Sequence, residues 1–293
     1  MMMGGSDDEK NGSAFVQSFG RHLVALCVTF REKVSLDPLP SFRAFAYTLL
    51  HIDGRNFLLT AGRILSELHE ALKSEKVEIL SAVLQDNFGA ERICDLPIPF
   101  DLKSAEMFFI DDAEEGLDFG VIALRPYYVN LLAANKMAAL AEENWVRQRV
   151  VQFDLHLMLG LPAEYTSDHV SATMFAVKCL NEPPDGRPTT RYPRFVGELD
   201  PNLALASVRG MSGGPILGFN LTPPIRYWVV SLQSTWLRDR RLVFGCPLPV
   251  LASLMIGKSR DRFCEVENKG NRYGWARRAT SCDQDSRDSQ SSR

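Results

Sequence analysis

The sequence lacks the features that mark several large classes of protein. Its 33 lysines and arginines are outnumbered by 36 aspartates and glutamates, and a net charge of -3 provides no basic face for nucleic acid. No apolar run is long enough to span a membrane. There is no HExxH motif and no pair of closely spaced cysteines, which are common signatures of a bound metal. We therefore expect no nucleic-acid partner, no membrane span, no metal site and no cofactor.

Export signals are also missing. Residues 1–13 are rich in Gly, Asp and Ser and contain no apolar core segment, so we expect no secretory signal. The six cysteines are scattered along the chain. Without export they should stay reduced and serve as small buried apolar residues. These two observations predict a cytoplasmic protein.

Short apolar and β-branched runs, separated by turn residues, are present along most of the chain. Two of them, 42–52 and 56–61, are joined by Asp53-Gly54, a strong hairpin signal. Many short strands at such spacing are typical of an all-β barrel or sandwich. Helical spacing is confined to 64–73, to the Ala- and Leu-rich stretch 128–145, and to 248–255.

One loop combines a serine with three glycines. It reads GMSGGP at 210–215 and is followed by an apolar strand-like run. Glycine suits backbone with unusual torsions or a close approach to a ligand. Such a loop can present the Ser212 hydroxyl beside backbone N–H groups, as an acyl-transfer site requires. Ser212 is therefore the candidate nucleophile, and the amides of Gly210 and Ser212 are the candidate oxyanion hole.

Two upstream stretches complete a resemblance to a known family. The loop resembles the G-x-S-G-G-P nucleophile loop of trypsin-like serine peptidases. The stretch FLLTAGRIL at 57–65 is similar to the family's histidine stretch, and DFGVIAL at 118–124 is similar to its aspartate strand, which opens on Asp118. The order of base, aspartate and serine is that of the chymotrypsin-type enzymes. The likeness covers about residues 15–258.

The resemblance implies an all-β fold of two six-stranded antiparallel β-barrels, with an extra connecting helix and a C-terminal helix. The first barrel would span about 15–125, the linker helix about 126–146 and the second barrel about 147–258. We expect a disordered N-terminus at 1–14 and a polar, disordered tail at 259–293.

The base position departs from the family pattern. Arg63 stands where the family has histidine, and an arginine stays protonated, so it cannot accept the Ser212 proton. Losing the base of such a triad costs about a millionfold in turnover. In this fold Arg63 and Asp118 should lie side by side, and we predict a bidentate pair between them.

No other histidine is clearly placed to replace the base. His22, His51 and His69 precede Asp118 but lie away from the predicted site. His156 and His169 follow Asp118 and would permit an Asp–His–Ser order, although a strand or loop histidine is the simpler interpretation.

Further departures concern activation and specificity. Met211 stands where extracellular members carry an aspartate that pairs with a new N-terminus, so we predict no zymogen step. Both this and the absence of the secreted members' cysteines agree with an intracellular bacterial-type relative. The resemblance also places a bound peptide along 227–233. Ala206, Ser231 and Gln233 would then be the substrate-binding residues, favouring a small or apolar side chain.

Two rival interpretations of the loop are weaker. An α/β-hydrolase elbow needs a helix after the serine and a later histidine, whereas Pro215 and a strand-like run follow Ser212 and the last histidine is His169. A glycine-rich turn without any site would not explain the two companion stretches in the family's order.

Two function classes remain. The first is a catalytically inactive relative, a pseudoprotease that binds a peptide or protein in the old cleft or regulates a partner. The second is an active serine hydrolase whose base is unorthodox or supplied by a partner. The sequence favours the first because the proton acceptor is missing.

Overall fold

The computed structural model describes residues 15–33, 39–146, 152–165, 169–181, 190–203, 207–258 and 273–276. The predicted disorder at 1–14 lies outside the described residues, as does nearly all of the predicted tail at 259–293. Within the described part the protein is mostly β-structure, as the spacing of apolar runs predicted.

The first half of the chain forms an open antiparallel sheet. A closed six-stranded barrel was predicted here, and that prediction is wrong. The described strands form one sheet of eight, in the order β14-β6-β7-β3-β2-β1-β4-β5. A closed barrel would need β4 to pair with β6. Among the described residues, β4 pairs instead with β5, through Val83 and Leu84 alone, and β6 pairs with β14. The strands are β1 (Leu23–Glu32), β2 (Ser41–Ile52), β3 (Arg55–Thr60), β4 (Val77–Gln85), β5 (Ile98–Pro99), β6 (Met107–Asp112), β7 (Leu117–Ala123) and β14 (Tyr273–Ala276).

The second half is a closed barrel of six strands, which confirms the prediction for this part of the chain. The strand order is β10-β13-β12-β11-β8-β9, and β9 pairs back onto β10. Apolar side chains from these strands, among them Met158, Phe175 and Ile216, fill its interior. The strands are β8 (Leu155–Gly160), β9 (Thr173–Cys179), β10 (Phe195–Leu199), β11 (Pro215–Asn220), β12 (Arg226–Leu237) and β13 (Leu242–Pro247).

Besides a short helix at 15–20, three α-helices complete the described part of the fold. Helix α1 (Gly62–Lys73) buries Ile64, Leu65 and Leu68 against the first sheet. Helix α3 (Leu248–Lys258) is the predicted C-terminal helix. The connecting helix was predicted over about 126–146, but α2 (Pro126–Ala134) is much shorter. It ends at Asn135, whose side chain binds the backbone of a neighbouring loop.

One apolar core joins the two halves. Its buried members include Leu50 and Phe119 from the first sheet and Leu159 and Leu232 from the second barrel. Since burial of apolar area is the main source of stability, this shared core holds the halves in contact. The candidate site lies where their polar groups meet. No helix in the described ranges has the length and apolar character to cross a membrane.

Candidate active site

The serine loop is a tight turn held by its own backbone. The Met211 amide donates to the Val208 carbonyl (3.0 Å), and the Gly214 amide donates to the Met211 carbonyl (2.9 Å). The Met211 side chain is fully buried in the second barrel and anchors the loop. Gly210 has φ +89°, a torsion that favours glycine, so the spacing of glycines around Ser212 has a conformational cause.

The loop is also fastened to its surroundings at Gly213. The Gly213 amide donates to the Gln233 carbonyl (2.9 Å) on β12, and the Thr48 hydroxyl of the first sheet donates to the Gly213 carbonyl (3.3 Å). Gly213 itself has φ +90°. These bonds place Ser212 at the junction of the two halves, with its residue half-buried.

Arg63 and Asp118 meet beside this loop, as predicted. Arg63 is the second residue of α1 and Asp118 is the second residue of β7. The two come together because β3, which leads into α1, pairs with β7. The Arg63 amide donates to Asp118 Oδ1 (3.0 Å), and Arg63 Nη1 donates to Asp118 Oδ2. The pair therefore differs from the predicted fork, since only one guanidinium nitrogen contacts the carboxylate.

The second guanidinium nitrogen contacts the serine. Arg63 Nη2 donates to Ser212 Oγ (2.5 Å), and Ser212 Oγ donates to the Ser234 carbonyl (3.2 Å). The hydroxyl proton thus points at a backbone carbonyl, which is not a base, while a lone pair of the oxygen accepts from a cation. Both bonds oppose nucleophilic attack by Ser212.

Ser234 connects all the members of this cluster and was not singled out from the sequence. Its hydroxyl donates to Asp118 Oδ2 (2.6 Å) and accepts from Arg63 Nη1 (3.3 Å), and its carbonyl accepts from Arg63 Nη2. We name Arg63, Asp118, Ser212 and Ser234 the Arg63 cluster. Asp118 is almost fully buried, with a side chain 3% exposed, whereas that of Arg63 is 29% exposed.

Burial and charge around Asp118 affect its neighbours. Burial, and then the nearby Asp118 carboxylate, raise the pKa of Asp111 above its usual range. Burial raises the pKa of the Cys246 thiol to about 12, so this cysteine is a neutral donor, and its Sγ lies 3.4 Å from the Gly116 carbonyl. The site therefore has one buried carboxylate whose charge is matched by Arg63.

The predicted oxyanion donors flank the buried Met211. Within the described part of the chain, the amides of Gly210 and Ser212 donate to no other backbone group. They remain the candidate donors for a bound carbonyl oxygen.

The predicted substrate-binding residues are not brought together at an open surface. Ala206 lies outside the described residues. Ser231 and Gln233 are 0% and 1% exposed. Gln233 Nε2 donates to the Thr235 carbonyl (3.4 Å). Thr235, two residues further along β12, is exposed.

All five histidines lie in the described ranges, and none contacts Ser212 Oγ. His22 binds the Ala138 carbonyl (2.6 Å), and His51 binds Asn56 (3.3 Å). His69 makes a tilted ring contact with Phe109, and His156 lies between Phe153 and Phe195. His169 is exposed. The Asp–His–Ser order that His156 and His169 permitted does not form around Ser212.

In the described residues, no three His, Cys, Asp or Glu side chains are grouped to hold a metal ion.

Comparisons with known proteins find similarity in structure alone. No protein-family model matches the sequence, and no curated protein matches it. Among solved structures, a Glu endopeptidase is 12% identical with a TM-score of 0.47, covering 83% of this chain and 91% of that one. A protease from M. tuberculosis in its active form is 12% identical with a TM-score of 0.43, covering 85% of each chain. Catalytically inactive tobacco etch virus protease complexed with substrate is 9% identical with a TM-score of 0.42, covering 84% and 86%.

These likenesses are to proteases, but their TM-scores of 0.42–0.47 are too low to carry an activity over to this chain. The chemistry open to the site therefore follows from the contacts within the Arg63 cluster.

Proposed function

We propose that this protein is a homologue of the trypsin-like serine peptidases that has lost catalysis and binds a peptide or protein segment in the cleft at Ser212. The observation that carries the proposal is the pair of hydrogen bonds at the Ser212 hydroxyl. It accepts from the Arg63 guanidinium and donates to the Ser234 carbonyl. In a serine peptidase, a general base stands where Arg63 stands here, and the serine oxygen has a lone pair free to attack the substrate.

The serine loop and the candidate oxyanion amides support a role in binding rather than in a different reaction. The serine loop keeps its glycine torsions, and the candidate oxyanion amides flank an anchored Met211. In such peptidases the oxyanion hole and the binding contacts alone leave about 10³–10⁴ of rate enhancement over water. That residual activity is far below the rate of a working peptidase, while the candidate amide donors of Gly210 and Ser212 would still serve to bind a peptide carbonyl.

Wild-type protein is expected to show no labelling of Ser212 by a fluorophosphonate probe, because no base takes the hydroxyl proton. The measurement is gel fluorescence after incubation at neutral pH, with active trypsin in a parallel tube and Ser212→Ala as the background. Strong wild-type labelling that disappears in Ser212→Ala would establish the alternative, an active serine hydrolase with an unorthodox or partner-supplied base.

Peptides selected from a random phage-displayed library on the wild-type protein are expected to bind beside Ser234. Thr235 is exposed and directly follows Ser234 at the irregularity of β12, so Thr235→Arg should weaken their binding at least tenfold by crowding a peptide that lies along this strand. The matched control is Thr222→Arg, which lies in an exposed turn after β11. Equal binding to both variants, measured by fluorescence polarisation, would place the peptides elsewhere and contradict the proposed cleft.

A further inference from the structure

The Arg63 guanidinium bridges the two halves of the molecule. Arg63 and Asp118 belong to the first half, whereas Ser212 and Ser234 belong to the second. From one side chain, Nη1 and Nη2 donate to three atoms across the junction, namely Ser212 Oγ, Ser234 Oγ and the Ser234 carbonyl. A single residue thus supplies three polar contacts between the halves.

Other polar contacts across the junction surround these three. Ser234 Oγ donates to Asp118 Oδ2 (2.6 Å), the Thr48 hydroxyl donates to the Gly213 carbonyl (3.3 Å), and Cys246 Sγ lies 3.4 Å from the Gly116 carbonyl. Their donors are buried. Hydrogen bonds in such a water-poor setting are stronger than at the surface, and leaving one partner unsatisfied is costly.

We propose that the Arg63 cluster is a clasp that holds the two halves at one fixed separation, so that the residues of the former reaction centre now set the width of the cleft. The clasp rests on the proposed function, because only a residue relieved of proton transfer can hold this place. Arginine suits it, since its planar guanidinium has five donors and a permanent charge.

A simpler role for Arg63 would be to neutralise Asp118, whose burial makes an unpaired charge costly. The two roles predict different behaviour. Neutralisation needs only the contacts between Arg63 and Asp118, which both lie in the first half. The clasp needs the contacts to Ser212 and Ser234 in the second half. A variant that removes the charges of Asp118 and Arg63 together therefore distinguishes the two roles.

The experiment is hydrogen exchange with mass spectrometry on full-length Arg63→Met, Asp118→Asn and the double variant. The reporters are the amides of Gly213 and Gln233, which donate to the carbonyls of Gln233 and Gly214 and so hold the serine loop on β12. The clasp predicts exchange at least tenfold faster than wild type in Arg63→Met and in the double variant. Arg43→Met is the matched control, because the Arg43–Glu67 pair lies at 3.8 Å with both side chains well exposed and should leave these amides unchanged.

Wild-type exchange rates in the double variant would overturn the clasp and leave Arg63 with charge neutralisation alone. If Arg63→Met does not fold, Arg63→Lys gives the same test. Lysine keeps the charge beside Asp118 but cannot reach Ser212 and Ser234 together, so faster exchange supports the clasp and wild-type exchange refutes it. Fluorophosphonate labelling of the wild type would instead refute the proposed function, whatever the exchange rates are.

Discussion

Arg63→His is expected to make Ser212 reactive toward a fluorophosphonate probe, with a labelling rate about 10²–10⁴ times that of the wild type, the usual contribution of a general base. The backbone amide of residue 63 already donates to Asp118 Oδ1, so the main chain is held beside the carboxylate. An imidazole there would take the space of the guanidinium, donate one N–H to Asp118 and turn the other nitrogen to Ser212 Oγ. The cation that occupies the serine lone pair would be gone.

The controls separate base catalysis from mere removal of the cation. Arg63→Gln removes the charge without supplying a base and should label no faster than wild type. Adding Asp118→Asn to Arg63→His should reduce labelling, because Asp118 orients the imidazole. The rate should also rise with pH as the imidazole loses its proton and becomes able to accept another. A folded Arg63→His protein that stays unlabelled at every pH would show that residue 63 is not in the position of the base.

Gly213→Ala is expected to destabilise the protein by about 3–5 kcal/mol, above the roughly 0.5–3 kcal/mol that most single substitutions cost. A Cβ atom at Gly213 would lie 2.2 Å from Thr60 Oγ1 and 2.4 Å from the Ala46 carbonyl oxygen, and the second of these is backbone. The positive φ of +90° adds strain for any residue with a Cβ. The serine loop would have to move away from the first sheet, breaking its contact with Thr48.

Gly54→Ala is the matched control for this substitution. Gly54 also has a positive φ (+71°), but a Cβ there would meet nothing within 4 Å. Gly54→Ala should therefore lower the free energy of unfolding only by the torsional strain, about 1–2 kcal/mol. Thermal unfolding measures both, and for a chain of this size each kcal/mol shifts the midpoint by about 2–4 °C. Equal midpoints for the two variants would show that the serine loop does not pack closely against Thr60 and Ala46.

Together these expectations describe a site in which the same contacts that prevent catalysis hold the molecule together. Arg63 satisfies Asp118, engages the Ser212 hydroxyl and contacts the second half through Ser234. Restoring a histidine should therefore increase reactivity and reduce stability in the same variant. The change in reactivity therefore tests the proposed function, and the change in stability independently tests the proposed clasp.

The local features of the site could be predicted from sequence because they depend on neighbours in the chain. The hairpin at Asp53-Gly54 forms with both residues at positive φ, as the dipeptide predicted. The glycines around Ser212 predicted a loop with unusual torsions, and the Gly210 and Gly213 torsions agree. The pairing of Arg63 with Asp118 was predicted from the order of three short stretches that resemble one family.

Only the tertiary structure decided the features that depend on contacts distant in sequence. The first sheet is open, with β5 and β14 rather than a β4–β6 pair at its two edges. Ser234, rather than Ser231, joins the cluster. Side chains alternate between the two faces of a regular strand, but the irregularity of β12 between Gln233 and Thr235 interrupts that alternation at Ser234. Which face meets Asp118 depends on how the barrel packs on the sheet, and a pattern of residue types along one strand does not contain that information.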